Sequence, residues 1–353
     1  MMKDGPATVP SDRYSRQILF RPIGHSGQEK LRNARVAVVG LGALGTVLSS
    51  QLVRAGVGYV RLIDRDIVEP SNLQRQSLYD EADADNHVPK ALAAAAKLRQ
   101  ANRTVEVAAI VEDLTWRNAE SRLRDVDLIL DGTDNFEVRY LINDVAVKHN
   151  VPWVYGGAVS SYGTAGIIRP RHTPCLVCLF GPDQGSGHDT CDTVGVIAPA
   201  VSIVASLQVA EALKYLTGNL DALSPGLTHI DVWRNEFRTV RYPTPNPDCP
   251  CCARRQFPSL AQRQDALAVS LCGRNTVQVR PNPSSGESAE PAFALANLAE
   301  RLARVADVHY QPHLLWCNFG HVQISLFPDG RALIHGVSNP VEARNLYARY
   351  IGM

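Results

Sequence analysis

The chain has 353 residues, 45% of them hydrophobic, with 36 Lys+Arg against 35 Asp+Glu and a formal net charge of +1. This is globular composition, enough for one large or two modest domains, and it excludes a disordered chain. A near-neutral balance argues against sequence-blind nucleic-acid binding, which needs a strong basic field.

Residues 1–12 read as a frayed tail without the apolar core of a secretory signal. A short helix is expected near 27–31. Arg35-Val-Ala-Val-Val39 reads as a buried strand, followed by Gly40-Leu-Gly-Ala-Leu-Gly45 and a helix over 46–55 that Gly56 or Gly58 ends. A second strand covers 59–63 and stops at Asp64. The segment 90–101 is Ala-rich and helical, 105–111 alternates like a strand, and 126–130 is another buried strand. A helix over 136–149 and a strand over 152–155 follow. The alternation predicts an α/β fold with a Rossmann-like, doubly wound sheet and a site at the carboxyl ends of its strands.

Residues 200–216 are apolar on nearly every face, which predicts a buried helix. The uncharged run around them is broken by Pro199, Ser202, Ser206 and Gln208, and is too short for a membrane span. The expected location is the cytoplasm. Breakers at 244–250 close a first domain over 13–255. A small C-terminal α+β domain is expected over 256–353, with a strand at 276–279, a helix at 293–305, a hairpin around Pro328-Asp-Gly330 and a final helix at 341–350.

Gly40, Gly42 and Gly45 lie between a strand and a helix. Gly40 permits a tight turn, Gly42 lets a phosphate approach the backbone, and Gly45 permits close packing. Asp64 ends the next strand, where a carboxylate accepts ribose hydroxyls. The motif predicts a nucleotide without separating NAD from ATP. Asp66, Asn72, Arg75, Lys90 and Asp134 do separate them. Cations and an amide around a phosphate chain, with a carboxylate for magnesium, suit an enzyme that splits ATP. Taken singly, Arg75 and Lys90 also read as surface cations, and Asp134 as a helix cap.

Cys175-Leu-Val-Cys178 and Cys249-Pro-Cys-Cys252 form two knuckles among eight cysteines. Two C-x-x-C pairs predict a closed, structural four-thiolate zinc site of Cys175, Cys178, Cys249 and Cys252. Cys251 is the alternative ligand, and spacing favours Cys252. Cys191 stands apart in a polar segment before the buried helix. Cys272 and Cys317 in the tail are expected to be buried.

Arg13-Tyr-Ser-Arg-Gln17, the glycine loop, Asp64 to Asp66, Ser71-Asn-Leu-Gln-Arg-Gln76 and Asp131-Gly-Thr-Asp-Asn135 occur here in one order. In that order the chain resembles the ThiF/MoeB/HesA family, relatives of the ubiquitin-activating enzymes, over roughly residues 11–255. The resemblance implies a homodimer that uses ATP to adenylylate the C-terminal glycine of a ubiquitin-like sulfur carrier ending in Gly-Gly. It implies that Gly42 lies at the phosphates and Asp64 at the ribose. Asn72, Arg75 and Lys90 would meet the phosphates, Asp134 would bind magnesium, and Arg16 would reach into the partner's site. It also implies that Cys191 can bond covalently to the carrier. The pathway stays open between thiamin, molybdopterin and tRNA thiolation. The alternatives are a nicotinamide-dependent oxidoreductase, adenylation of a peptide C-terminus, and a binding module without catalysis. No nucleic acid or membrane partner is expected.

Overall fold

The computed structural model describes residues 13–182, 194–261, 268–271, 275–280 and 294–352. The chain divides into two compact units, residues 1–262 and 263–353.

The first unit opens with α1 (Ser15–Leu19) and α2 (Gly24–Asn33), the second longer than its sequence pattern suggests. Then come β1 (Arg35–Val39), α3 (Ala43–Ala55), β2 (Tyr59–Asp64), α4 (Glu81–Asp85), α5 (Lys90–Ala101) and β3 (Glu106–Val111). They are followed by α6 (Ala119–Leu123), β4 (Leu128–Asp131), α7 (Phe136–His149) and β5 (Trp153–Val159). The strands form one sheet in the order β3-β2-β1-β4-β5, all parallel. Side chains alternate across it. Val36 and Val38 of β1 enter the core under α3 and α5, while Ala37 and Val39 enter the core under α7. The strand order reverses direction at β1, between β2 and β4, and opens a crevice at their carboxyl ends.

Past β5 the sheet continues antiparallel through β6 (Tyr162–Ile168), β7 (Gly226–Asp231) and β8 (Glu236–Arg241), which the sequence pattern did not reveal. Between them lie α8 (Leu176–Phe180) and α9 (Ala198–Thr217). Two expectations are corrected. First, the helix after the glycine loop starts at Ala43, not residue 46, because Gly45 belongs to its first turn. Second, α9 is not buried all round. Val201, Val204, Ala205 and Gln208 pack inward, while Ser202, Ile203 and Ser206 are exposed. Among the described residues no helix is long and apolar enough to cross a membrane.

The second unit is a six-stranded antiparallel sheet in the order β11-β12-β13-β14-β10-β9. Its strands are β9 (Ala268–Leu271), β10 (Thr276–Val279), β11 (Asp307–Gln311), β12 (Leu314–Asn318), β13 (Gln323–Leu326) and β14 (Ala332–His335). Its helices are α10 (Leu295–Leu302) and α11 (Pro340–Tyr350). Leu295, Leu298, Leu302, Ala343 and Tyr347 from these helices share a core with Val277, Leu315, Ile324 and Ile334 of the sheet. Cys317 lies in that core, and burial pushes its thiol up to about 12, so it stays a neutral thiol. Cys272 lies outside the described residues.

Candidate active site

The crevice is built on the glycine loop. Gly40 N–H donates to Ile63 O of β2 at 2.9 Å, and Gly132 N–H donates to Val39 O at 2.8 Å, so the loop is wedged between the ends of β2 and β4. The three glycines have different reasons. Gly40 has φ of +82°, and a Cβ there would stand 2.8 Å from Gly132 O. A Cβ on Gly45 would stand 1.9 Å from Gly40 O. Among the described residues a Cβ on Gly42 would meet only Gln76 Nε2, at 3.9 Å, so none of them demands glycine at 42. The position caps α3, where free backbone N–H groups favour an anion.

Asp64 locks this loop. Its Oδ2 accepts from Leu41 N–H at 2.6 Å and its Oδ1 from Asp66 N–H at 2.7 Å. Each oxygen keeps a second lone pair for a ligand hydroxyl. Burial pushes the Asp64 carboxyl upward; the Lys90 charge opposes this and Asp66 adds to it. Lys90 opens α5 and is 2% exposed, with Nζ 3.3 Å from Asp66 Oδ2. Arg65 lies 3.2 Å from Asp113 and 3.7 Å from Asp66. Burial opposes its charge, but Asp113, Asp66, Asp134 and Asp64 together hold the guanidinium protonated. The end of β2 thus carries an alternating set of carboxylates and cations.

A turn over residues 70–79 closes one side. Asn72 is fully buried, its Oδ1 accepting from Glu69 N–H at 3.2 Å. Arg75 is half-buried and donates to Ser71 O at 2.9 Å. Tyr79 OH donates to Leu41 O at 2.8 Å, tying the turn to the glycine loop. On the other side, Asp134 is exposed in the turn between β4 and α7, and the residue that caps α7 is Asn135, whose Oδ1 accepts from Glu137 N–H. An exposed oxygen donor at this end of the sheet fits a hard cation that takes its other ligands from water and phosphate.

Arg139 holds that turn. Its Nε donates to Asp131 Oδ2 at 2.9 Å, and its Nη2 to Thr133 O at 2.6 Å and Gly156 O at 2.9 Å. Gln208 of α9 donates to Asp131 O at 2.7 Å from beneath. Sequence reading gave no site role to Arg65, Tyr79, Arg139 or Gln208. Their partners come from distant segments, and only the buried Arg-Asp pair had a local signal, in the spacing of Asp131 from Arg139.

Arg16 does not join its own chain's site. It is exposed on α1, whose neighbour Gln17 donates to Ala55 O at 2.8 Å, at the far end of α3. A helix of 13 residues puts that end about 20 Å from Gly42. Leu19 and Phe20, beside it, are 70% and 60% exposed. Cys191 lies outside the described residues.

The cysteine pairs do meet. The Sγ atoms of Cys175, Cys178, Cys249 and Cys252 all lie within 4.8 Å of one another. Neighbouring contacts are 3.8, 3.6 and 3.5 Å. A tetrahedron with Zn–S bonds of about 2.3 Å has edges of about 3.8 Å, so the four thiols fit that ion. Burial pushes the Cys178 thiol up to about 11, a preference for protons that a bound dication reverses. Cys251 is not in the cluster. It is buried, accepts from Asn143 Nδ2 at 3.2 Å and donates to Asp144 Oδ1 at 3.5 Å. Asn143 Oδ1 also accepts from Leu176 N–H at 2.9 Å, so one helix residue touches both knuckles.

The profile of the ThiF family matches residues 14–251. A sulfur carrier protein ThiS adenylyltransferase of Bacillus subtilis is 45% identical over 342 residues, 96% of this chain and 99% of the relative. A sulfur carrier protein adenylyltransferase of Thermus thermophilus is 41% identical over 270 residues, 74% of this chain and 96% of the relative. Among solved structures, E. coli MccB with MccA-N7isoASN superposes with a TM-score of 0.60 at 24% identity, covering 70% of this chain and 75% of that one. That likeness shows the fold alone.

Proposed function

Because this chain belongs to the ThiF family, we propose that it is an adenylyltransferase that activates the C-terminal glycine of a ubiquitin-like sulfur carrier. The observation that carries the reading is the crevice at β1, β2 and β4. There Gly42 caps α3 with room for a Cβ, Asp64 locks the glycine loop, Lys90 pairs with Asp66 at the end of β2, and Arg75 lies on the adjoining turn.

The carrier's carboxylate attacks the α-phosphorus of ATP, the bond to the β-phosphate oxygen breaks, and pyrophosphate leaves. Backbone N–H groups at the start of α3 hold phosphate oxygens. Asp64 takes the ribose hydroxyls. Lys90, Arg75 and Asn72 stabilise the charge that builds at phosphorus. Asp134 would hold magnesium, which neutralises the leaving pyrophosphate. No side-chain nucleophile is needed for this step.

Position and exposure support a homodimer in which Arg16 enters the partner's crevice, since it stands at the wrong end of α3 for its own. The exposed Leu19 and Phe20 would be covered there. Zinc in the four-thiol cluster would clamp 249–252 to α8 and α7. The B. subtilis relative spans the tail as well as the catalytic unit, whereas the T. thermophilus relative covers 74% of this chain. The likeness over nearly the whole of the B. subtilis ThiS adenylyltransferase favours a ThiS-like carrier, whose Gly-Gly end is part of the proposal. ATP chemistry with free thiols fits the reducing cytoplasm.

The test is to quench an incubation of enzyme, MgATP and a ThiS-like carrier with hydroxylamine. A carrier hydroxamate at the terminal glycine, dependent on ATP, is expected. A carrier of unchanged mass would sink the reading.

A further inference from the structure

The turn over residues 70–79 has more enclosed polar chemistry than Asn72 and Arg75 account for. Asn72, Gln76 and Tyr79 follow one another at spacings of four and three, and are 0%, 2% and 7% exposed. The backbone winds to match: Gln76 N–H donates to Asn72 O at 3.0 Å, and Tyr79 N–H to Gln76 O at 3.2 Å. All three therefore face one side. Tyr79 shows which side, since its OH reaches Leu41 O in the glycine loop. Gln76 reaches the same loop, its Nε2 lying 3.9 Å from where a Cβ on Gly42 would stand.

Gln76 Oε1 is buried and has no hydrogen-bond partner among the described residues. Such groups are rare in folded proteins, because water has been removed and nothing has replaced it. A half-turn of the amide exchanges its two ends, so the side chain can present either to the loop. Here it stands over the N-terminus of α3, a helix of 13 residues, at the one glycine of the three that the protein's own packing does not require.

We propose that Gln76 contacts the nucleotide, its amide donating an N–H to a non-bridging phosphate oxygen of ATP held at Gly42. This rests on the adenylation reading above. The phosphate chain accepts hydrogen bonds and donates none, which suits the amide's donor end. Arg75 supplies charge from the preceding position, and Gln76 supplies a neutral, directional donor. The contact gives a partner to the donor end of this enclosed amide, the Nε2 that already faces Gly42.

The test pairs Gln76→Met with Gln76→Glu and measures MgATP affinity by calorimetry alongside melting of the nucleotide-free protein. Methionine keeps the length, removes the donor and removes the unsatisfied oxygen. Gln76→Met is expected to melt at or above the wild-type temperature while binding MgATP about tenfold more weakly. Gln76→Glu is expected to weaken binding further, because a carboxylate then faces the phosphates. Wild-type affinity in Gln76→Met overturns the contact, as does a weakening that only follows a lowered melting temperature. If the wild type binds MgATP with this Gln76 dependence but activates no carrier, the contact stands and the adenylation reading falls. A wild type with no affinity for MgATP overturns both.

Discussion

Arg139 and Asp131 form an ion pair at the carboxyl end of β4, Nε to Oδ2 at 2.9 Å, with side chains 6% and 0% exposed. Asp131 also accepts from the N–H and hydroxyl of Thr133, so the pair fixes the turn that presents Asp134. Removing one partner strands a buried charge. Arg139→Met is expected to lower unfolding free energy by about 3–5 kcal/mol in urea titrations. Adding Asp131→Asn should restore a large part of that loss. A double variant as unstable as the single one would show that the pair's charge is not what matters.

The glycine loop makes a paired expectation. Gly45→Ala puts a Cβ 1.9 Å from Gly40 O, where backbone must move. It should lose about 3 kcal/mol or more. Gly42→Ala meets nothing closer than 3.9 Å among the described residues and should change stability by less than about 1 kcal/mol. Its effect should appear in MgATP affinity instead, weakened at least about tenfold as a methyl group enters the phosphate site. If the two variants behave alike, Gly42 is not ligand-facing.

The elements most readable from sequence carry short apolar runs or clear ends. Residues 36–39 of β1 and 128–130 of β4 are unbroken apolar runs, β2 is interrupted only by Arg61 before it ends at Asp64, and α5 and α7 have clear ends. β8 was invisible because all six of its residues are exposed and nothing alternates. β6 was hidden by Gly163 and Gly166, whose missing side chains make room for Val204 and for Leu227 and Tyr242. Such strands are defined by their neighbours in the sheet, not by their own pattern. The site divides the same way. Asp64, Lys90 and the cysteine pairs stand at element ends or at ligand spacing. Gln76, Tyr79 and Arg139 became meaningful only once the turn and β4 were folded against the glycine loop.

The cysteine cluster should behave as a closed structural site. Purified protein is expected to carry about one zinc per chain by metal analysis. Cys178→Ser should lose that metal and lower the melting temperature, while the folded fraction keeps its adenylation rate. Cys251→Ser should keep the zinc, since Cys251 bonds to Asn143 and Asp144 instead. Loss of zinc in Cys251→Ser and its retention in Cys252→Ser would reverse the ligand assignment.

Asp125 gives a pH-dependent term remote from the crevice. Arg61 binds it with both Nη atoms, at 2.7 and 3.0 Å, and holds its carboxyl below the ordinary value of 3.8. A depressed carboxyl stabilises the fold fully above its unfolded pKa, and the stabilisation is lost as pH falls through the folded one. Asp125 is 48% exposed, so the effect is screened. Asp125→Asn is expected to cost about 1 kcal/mol at neutral pH. Urea titrations should show that difference constant down to about pH 5 and shrinking below about pH 4. A difference that grows on acidification would contradict the assignment.

The most direct measurement is ATP–pyrophosphate exchange with magnesium and a ThiS-like carrier, intact or lacking its last glycine. Adenylation at that carboxylate requires exchange with the intact carrier and none with the shortened one. Equal exchange with both, or none with either, would contradict it.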